Sequence, residues 1–360
     1  YPNDSCKITV SYSATTIGND QGLLTLFSNA VPSVYTLPIA ASTQKRILRV
    51  GPTREFQWVR QVSEVVQDND IIEIDAGLYP GDIASWEASN LIIRGIGGRA
   101  HLHASGRSAE GKAIWVIRGE NTLVENIEFS NCEVEDRNGA GIRLEGNNLT
   151  LRNCYFHHNE NGILTAIGLY NCELLIEGCE FAYNGNGNGL THNMYINVMK
   201  RFTLIHSYSH HTLIGHNVKT RAYENHILYN RIMDEKIGQS SYLIDFSQGG
   251  KNIVMGNVFY QGRYAENNAM ISHNAEYPYH SNQELYLVNN TFVNQKERNA
   301  IFVRVYNPTQ NVVIGNNLFA GDADLLLSDD LDHIQTLHQQ SNVIIPNITD
   351  AGFVNPDHFD

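Results

Sequence analysis

The sequence predicts an all-β solenoid of stacked parallel strands. A short apolar segment recurs from VENIEF to GNNLFA, with these central residues: Asn126, Asn153, Gly178, Ser207, Asn230, Asn257, Asn290 and Asn317. Their successive spacings of 27, 25, 29, 23, 27, 33 and 27 residues fit the roughly 20–50-residue periods of repeat folds. Gly and Asn supply turns, and no helical pattern separates the repeats. Each repeat is therefore predicted to be one coil of strands.

The recurring Asn has a specific predicted role. Asn tolerates the left-handed backbone conformation that a tight turn needs, and its amide can hydrogen-bond to the coils above and below. We therefore expect these residues to stack in one turn: Asn153, Asn230, Asn257, Asn290 and Asn317.

A second apolar segment precedes each repeat, as in HNMYINV, HNVKTRA and SYLIDF. Side chains alternate between the faces of a strand. With the apolar residues inward, these residues point outward: Arg143, Tyr195, Asn197, Asn217, Lys219, Arg221, Asp245 and Arg304. Since coils stack about 4.8 Å apart, Tyr195, Lys219 and Asp245 are predicted to share one face.

The remaining segments give the domain boundaries. Residues 1–45 form an appended segment in which LLTLF is a candidate strand. Helical spacing of apolar residues in REFQWVRQVSEVVQ predicts an amphipathic helix over 54–67, which caps the open end of the stack. The solenoid domain is predicted over 46–330, with continuous strands from about 70 to 320, and residues 331–360 as a C-terminal cap and tail.

Composition argues against two classes of protein. A net charge of −13 provides no basic face for a nucleic-acid backbone. No apolar run approaches the roughly 20 residues of a transmembrane helix. We expect a monomer that neither binds nucleic acid nor spans a membrane. The first residue is Tyr1 rather than Met, which is typical of a mature secreted product.

The five cysteines show no metal-site spacing. They lie at positions 6, 132, 154, 172 and 179, and their odd number leaves at least one thiol free if any pair is oxidised. Since Cys is among the residue types most often buried, we expect structural thiols, and the sequence leaves any disulfide pairing open.

Four histidines fall close to the predicted face: His192, His210, His211 and His216. Their spacing with respect to carboxylates is not that of a metal site, so no metal ligands are predicted. We expect at least one of the four to contact a sugar or to take part in catalysis. His157 and His158 occupy the turn of another coil, where turn packing is the favoured interpretation.

The amphipathic segment, the DIIEIDAGLY strand and the Asn-centred coils together resemble the right-handed parallel β-helix proteins of the pectate-lyase type, over roughly residues 46–330. The chain looks most similar to secreted or periplasmic bacterial members. A narrower similarity is to polysaccharide lyase family six, which includes chondroitinase B and alginate lyases. In that family a Lys-Ser pair precedes an Asn segment, and the Lys is the base. Here Lys219-Thr220 precedes Asn225 and Asn230.

This chain departs from the family-six pattern at the second catalytic group. The family has an Arg on the next coil, where this chain offers Tyr242 and Asp245, and Arg221 follows Lys219 by two residues instead. The resemblance also implies Ca²⁺ as the candidate cofactor, although its acidic ligand set is not evident in the sequence.

The resemblance implies a secreted or periplasmic enzyme that cleaves an acidic polysaccharide, such as an exopolysaccharide, by β-elimination, or epimerises it at C5. Both reactions begin with removal of the proton next to a carboxylate. The lyase needs a base, a cation or metal for the substrate carboxylate and an acid for the leaving oxygen. The predicted catalytic residues are Lys219 as base, Arg221 as carboxylate clamp, Tyr195 or His211 as donor, and Asp245. The predicted substrate contacts are His192, Asn193, His210, His216, Arg143, Tyr242 and Arg304.

Two other functions stay open. An inverting glycoside hydrolase needs two carboxylates about 6.5–9.5 Å apart, for which the candidates are Glu145, Asp234, Glu235 and Asp245. A non-catalytic polysaccharide-binding module is the third candidate, because a fold does not determine a function.

Overall fold

The computed structural model describes residues 19–27, 34–42, 45–277, 279–329 and 331–354. Backbone contacts divide the chain into two units, Tyr1–Ile47 and Leu48–Asp360. In the first unit, strands β1 (Asn19–Phe27) and β2 (Val34–Ser42) form an antiparallel hairpin. The predicted LLTLF strand is thus confirmed. The alternating segment ITVSYSAT lies outside the described residues.

The second unit is a stack of coils, each of which contributes strands to three faces, here called sheets I, II and III. Sheet I contains ten strands: β5 (Ala84–Trp86), β7 (Ala113–Ile117), β10 (Ala140–Leu144), β13 (Asn161–Thr165), β16 (Met194–Ile196), β19 (Val218–Thr220), β22 (Ile244–Phe246), β25 (Ala269–His273), β28 (Ile301–Val305) and β31 (Asp324–Ser328).

Sheet II follows sheet I along each coil. Its strands are β3 (Ile47–Val50), β4 (Ile71–Pro80), β6 (Ile92–His103), β8 (Thr122–Glu125), β11 (Leu149–Arg152), β14 (Leu169–Glu177), β17 (Met199–Ile205), β20 (Glu224–Leu228), β23 (Gly250–Met255), β26 (Gln283–Val288), β29 (Asn311–Gly315) and β32 (Thr336–Gln340).

Sheet III completes the coil. Its strands are β9 (Ile127–Ser130), β12 (Tyr155–His157), β15 (Glu180–Ala182), β18 (Tyr208–His210), β21 (Arg231–Met233), β24 (Val258–Gln261), β27 (Thr291–Asn294), β30 (Leu318–Ala320) and β33 (Val343–Ile345). The long strands β4 and β6 run from sheet II into sheet III and join the two. Successive coils pair parallel on every face, so the predicted parallel β-helix is confirmed.

The core is a column of inward side chains, as the alternating pattern predicts. On sheet III the inward Phe rings stack from coil to coil, with ring centroids 5.0 Å apart for Phe129 and Phe156 and 4.7 Å apart for Phe156 and Phe181. Stacked rings of this size bury a large apolar area per coil, which offsets the entropy of ordering the chain.

Two properties were predicted for the recurring Asn: a left-handed backbone and stacked amide hydrogen bonds. In the turn between sheets II and III they occur at two successive positions. One position has positive φ and holds Asn126, Asn153, Gly178, His206, Tyr229, Gly256, Asn289, Asn316 and Ser341. The next position forms an interior ladder of Cys154, Cys179, Ser207, Asn230, Asn257, Asn290, Asn317 and Asn342. From Cys154 to Asn317, each backbone N–H group of the ladder donates to the side chain one coil on. Asn153 is therefore wrongly placed in the predicted stack, because it occupies the positive-φ position instead.

Three details differ from or refine the sequence expectations. The helix predicted over 54–67 is reduced to α1 (Val59–Ser63), whose Val59 and Val62 join the core, and its capping role stays a prediction. Parallel pairing continues through β32 and β33, beyond residue 330. Two 3₁₀ helices, Leu331–His333 and Ile348–Ala351, complete the described elements.

The thiols of the described cysteines are buried and free, as expected: Cys132, Cys154, Cys172 and Cys179. Cys6 lies outside the described residues. No helix in the described ranges combines the length and apolar character needed to cross a membrane.

Candidate functional site

A row of side chains runs along the outer face of sheet I. Cross-strand pairing aligns Arg143, Leu164, Tyr195, Lys219, Asp245, Ser272 and Arg304. The predicted alignment of Tyr195, Lys219 and Asp245 is therefore confirmed. With strands about 4.8 Å apart, the row from Arg143 to Arg304 is about 29 Å long, and Lys219 lies at its centre.

Lys219, in this row, and Arg221, just after the end of β19, converge on one carboxylate. Lys219 Nζ lies 2.7 Å from Glu276 Oε1. The guanidinium of Arg221 donates to the same carboxylate through Nε at 2.8 Å and Nη2 at 2.9 Å. Arg221 Nη1 also donates to Tyr195 Oη at 3.0 Å and Asn197 Oδ1 at 2.9 Å. This is the planar, bidentate geometry by which Arg recognises carboxylates.

Glu276 belongs to the connection between β25 and β26, an insertion within the longest repeat, the 33 residues from Asn257 to Asn290. Its backbone N–H donates to Ser247 O at 2.8 Å, and His280 further along packs on Tyr223 and reaches Arg221 O at 2.9 Å. The insertion thus folds over the outer face of sheet I. The side chain of Glu276 is 32% exposed, compared with 13% for Lys219 and 16% for Arg221, so Glu276 covers the two cations.

Lys219, Arg221, Glu276, Tyr195 and Asp245 are here called the Lys219 group. The opposite charges within it stabilise one another. Burial opposes ionisation of Glu276, but hydrogen bonds from Arg221 and Lys219 outweigh it and lower the pKa of Glu276 to about 2. Burial likewise works against the charge of Arg221, yet Glu276 and Tyr195 raise the pKa of its guanidinium. Both cations also lie over the Tyr195 ring, with Lys219 Nζ 5.7 Å and Arg221 Cζ 5.1 Å from its centroid.

Asp245 is buried at the base of the group. Its Oδ2 accepts a hydrogen bond from Ser247 Oγ at 2.5 Å and lies 3.7 Å from both Lys219 Nζ and His216 Nε2. Its Oδ1 is buried without a hydrogen-bond partner. A buried carboxylate oxygen left in this state is costly, and it offers an acceptor to a ligand hydroxyl.

Two of the predicted histidines stack beneath this group. The rings of His192 and His216 are parallel and 4.7 Å apart, and each Nδ1 accepts a backbone hydrogen bond, from His216 N and Tyr242 N respectively. Burial lowers the pKa of His216 to about 4, with Asp245 opposing the shift, and burial also lowers the pKa of His192. Both imidazoles are neutral at pH 7. The predicted contact of His192 with substrate is wrong, because its side chain is fully covered.

The other two histidines lie on a different face. His210 ends β18 on sheet III, where it stacks on Tyr208 and lies 3.3 Å from Glu180. His211 follows it in a positive-φ turn and stacks on Tyr183. Their predicted placement at the rim of the Lys219 group is wrong, because the alternation of strands alone does not show which turn a residue joins.

Two asparagines lie in the interior: Asn193, which was predicted to contact substrate, and Asn217, which was predicted to point outward. Asn193 donates to Phe181 O and Asn217 Oδ1, and Asn217 accepts from Thr212. Both are fully buried. The predicted substrate contact of Asn193 and the outward direction of Asn217 are therefore wrong, because each residue precedes its strand and follows the geometry of the turn rather than period-two alternation.

The remaining predicted contacts lie on or beside the sheet I row. Arg143 is two strands from Tyr195, and Arg304 is two strands from Asp245. Tyr242 packs against His216, with ring centroids 5.2 Å apart. Glu276 was not predicted. The only sequence signal for it was its position in the long insertion, where binding residues tend to occur.

The carboxylates proposed for a hydrolase have structural partners. Asp234 is buried and accepts from the backbone N–H groups of Ser240 and Gly262, and burial raises its pKa to about 6. Glu235 accepts from Tyr208 on sheet III. Glu145 pairs with Lys112 and Arg118. Of these four candidates, only Asp245 lies in the Lys219 group.

The residues of this group do not fit Ca²⁺. Calcium prefers six to eight oxygen ligands, whereas the two carboxylates here, Asp245 and Glu276, both face the ammonium of Lys219. Lys219 and Arg221 already supply the positive charge that a metal would bring to this position, so no step is assigned to calcium.

Comparison with known proteins identifies the architecture. The family described as right handed beta helix region matches residues 76–292. A pectin methylesterase from carrot matches in structure with 11% identity and a TM-score of 0.40, covering 89% of this chain and 94% of that one. A pectate lyase, Pel9A, matches with 13% identity and a TM-score of 0.46, covering 83% of this chain and 80% of that one. No curated protein sequence matches this chain significantly.

Proposed function

The chain belongs to the right-handed β-helix family, and from that premise we propose that it is a carbohydrate-active enzyme for an acidic polysaccharide. The proposed reaction removes the proton next to a uronate carboxylate, which leads to β-elimination or to C5 epimerisation. The proposed site is the outer face of sheet I around Lys219.

One observation carries this proposal: Lys219 and Arg221 converge on a single carboxylate, that of Glu276. The carboxylate comes from an insertion rather than from the scaffold, and it is the most exposed member of the three. A uronate carboxylate has the same shape and charge. We infer that substrate replaces Glu276 and takes over its bidentate contact with Arg221.

Each side chain then has a defined task. Arg221 neutralises the uronate carboxylate, which stabilises the negative charge that develops when the adjacent proton leaves. Lys219 Nζ, which Glu276 covers in this structure, accepts that proton once substrate has displaced Glu276. Tyr195, whose hydroxyl is held by Arg221, donates to the departing glycosidic oxygen. Asp245 positions Lys219 and accepts a sugar hydroxyl at its unpaired Oδ1.

The hydrolase alternative has less support. An inverting hydrolase needs one carboxylic acid that stays protonated to assist the leaving group. Among the described residues, Glu276 is the only carboxyl group besides Asp245 that pairs with Lys219. Its pKa of about 2 keeps Glu276 ionised at neutral pH. Glu276 therefore cannot serve as that acid.

The test is a screen of uronate polysaccharides, namely polygalacturonate, alginate and chondroitin sulfate. Ultraviolet absorbance detects the C=C bond of elimination, incorporation of solvent deuterium detects epimerisation, and reducing-end assays detect hydrolysis. We expect elimination or exchange. Reducing ends without absorbance or exchange would support the hydrolase, and binding without any product would support a binding module.

The site is then tested by Lys219→Ala. Loss of a general base is expected to lower kcat by about 10²–10⁴-fold, measured at a temperature at which circular dichroism shows that the variant is folded, because Lys219 also pairs with Glu276 and Asp245. Lys200→Ala is the matched control, since Lys200 also pairs with a glutamate, Glu173 at 2.6 Å, but on sheet II. Full activity in Lys219→Ala contradicts the assignment.

A further inference from the structure

A second group of chemically active side chains lies on the outer face of sheet III, near the N-terminal end of the stack. His101, Glu128 and His157 come from β6, β9 and β12, three successive coils. Glu128 Oε1 lies 3.4 Å from His101 Nδ1 and 3.0 Å from His157 Nε2. The three atoms all lie within 4.8 Å of one another.

We propose that these three side chains bind a divalent transition metal of the Zn²⁺ class. Zinc bonds of about 2.0–2.2 Å in tetrahedral geometry separate neighbouring donor atoms by about 3.3–3.6 Å. The distances from Glu128 Oε1 to His101 Nδ1 and to His157 Nε2 are close to this donor separation without any rearrangement. Two imidazoles and one carboxylate are also a donor set that zinc uses in proteins, with the fourth position left to water or a ligand.

The outer nitrogens of both rings already have partners of the kind that orient metal-binding histidines. His101 Nε2 lies 2.7 Å from Ser130 Oγ, and His157 Nδ1 lies 2.8 Å from His158 Nδ1. Such contacts fix the ring orientation and leave the inner nitrogen directed at the metal. In the metal-free state His157 Nε2 lies within hydrogen-bond distance of Glu128 Oε1. Metal binding requires the tautomers in which each inner nitrogen is unprotonated and each outer nitrogen carries the proton.

A related group two coils further along lacks the third ligand. His210 lies 3.3 Å from Glu180, and its Nδ1 lies 2.6 Å from His211 Nδ1, which repeats the arrangement of His157, Glu128 and His158. The position equivalent to His101 is occupied by Tyr155, which pairs with Glu180 in the sheet register. The first set of three coils thus supplies three ligands, and the second set supplies two.

The metal would cross-link side chains of three successive coils. Because the ligands are 27 and 29 residues apart in the sequence, the set has no short-range motif and the sequence predicted no metal. A ligand that binds only the folded state raises stability by RT ln(1 + [L]/Kd). Zinc should therefore raise the Tm as well as bind.

The experiment uses the full chain without a histidine tag, after treatment with a chelator. Titration calorimetry with ZnCl₂ is expected to show one equivalent bound, and Co²⁺ is expected to give the intense visible bands of a tetrahedral site. Glu128→Gln and His157→Ala should each weaken Zn²⁺ binding at least tenfold and abolish the zinc-dependent rise in Tm. His210→Ala, the matched control, should bind as the unmodified chain does.

Three results would overturn the proposal. They are no stoichiometric Zn²⁺ binding, undiminished binding in both ligand variants, or an equal loss in His210→Ala, which indicates adventitious surface histidines. Circular dichroism of the metal-free variants checks folding, and His101→Gln serves as the test if His157→Ala does not fold. Calcium should compete poorly, because two of the three donors are imidazoles.

Discussion

Removing one amide from the interior ladder should destabilise the solenoid strongly, and Asn290→Ala is the sharpest case. Asn290 Oδ1 accepts from Asn257 N and Asn257 Nδ2, both at 3.0 Å. Its Nδ2 donates to Val254 O at 2.9 Å and to Asn317 Oδ1 at 3.0 Å. All of these groups are buried, so water cannot replace the amide without a rearrangement of the turn.

The magnitude follows from the groups left without partners. Asn257 N–H loses its acceptor and Val254 C=O loses a donor, whereas the Asn257 amide keeps Ile227 O at 2.8 Å. A buried polar group without a partner costs about 1–3 kcal/mol. Asn290→Ala is therefore expected to lower the free energy of unfolding by about 2–5 kcal/mol.

Urea unfolding followed by circular dichroism measures this change, as a lower midpoint with an unchanged m-value. The control is Asn289→Gly at the adjacent positive-φ position, which Gly256 occupies one coil earlier. Glycine adopts that conformation without strain, so the control should change stability by less than about 0.5 kcal/mol. A loss in Asn290→Ala no larger than in the control would refute the assignment of stability to the ladder.

Four further predictions concern the sheet I group. Arg221→Ala should raise KM and lower kcat, because a carboxylate clamp acts in both the ground state and the transition state; an effect on kcat alone would contradict the clamp. Asp245→Asn should be mild in a lyase that uses Lys219 and severe in a hydrolase, as steady-state kinetics with the active polysaccharide can decide. Glu276→Gln should bind substrate more tightly, since a neutral amide competes less well for Arg221, and weaker binding would show that Glu276 contacts substrate instead. Because the folded-state pKa of Glu276 lies near 2, below its ordinary value of 4.5, its ionic contribution to stability is present above about pH 4.5 and lost toward pH 2. The stability difference between the unmodified chain and Glu276→Gln should shrink over that range, and a constant difference would argue against the ion pairs.

The sequence by itself determined the repeat and the outward row. Apolar residues at period two must face the core, because exposing them in every coil would forfeit the main stabilising free energy of the fold. That constraint is sufficient to align Tyr195, Lys219 and Asp245 on one face. It failed at the strand ends, where Asn193 and Asn217 turn inward to pair amides with amides.

Only the tertiary structure determines which side chain covers the sheet I row and which side chains come together on sheet III. Glu276 reaches Lys219 from an insertion that follows no repeat, and backbone contacts such as Glu276 N to Ser247 O hold it there. His101, Glu128 and His157 meet only because three coils share one register. A repeat period constrains the inward half of each coil, since that half must pack against its neighbours. The outward half and the insertions are free to vary, and their contacts are therefore determined only by the stacked, folded chain.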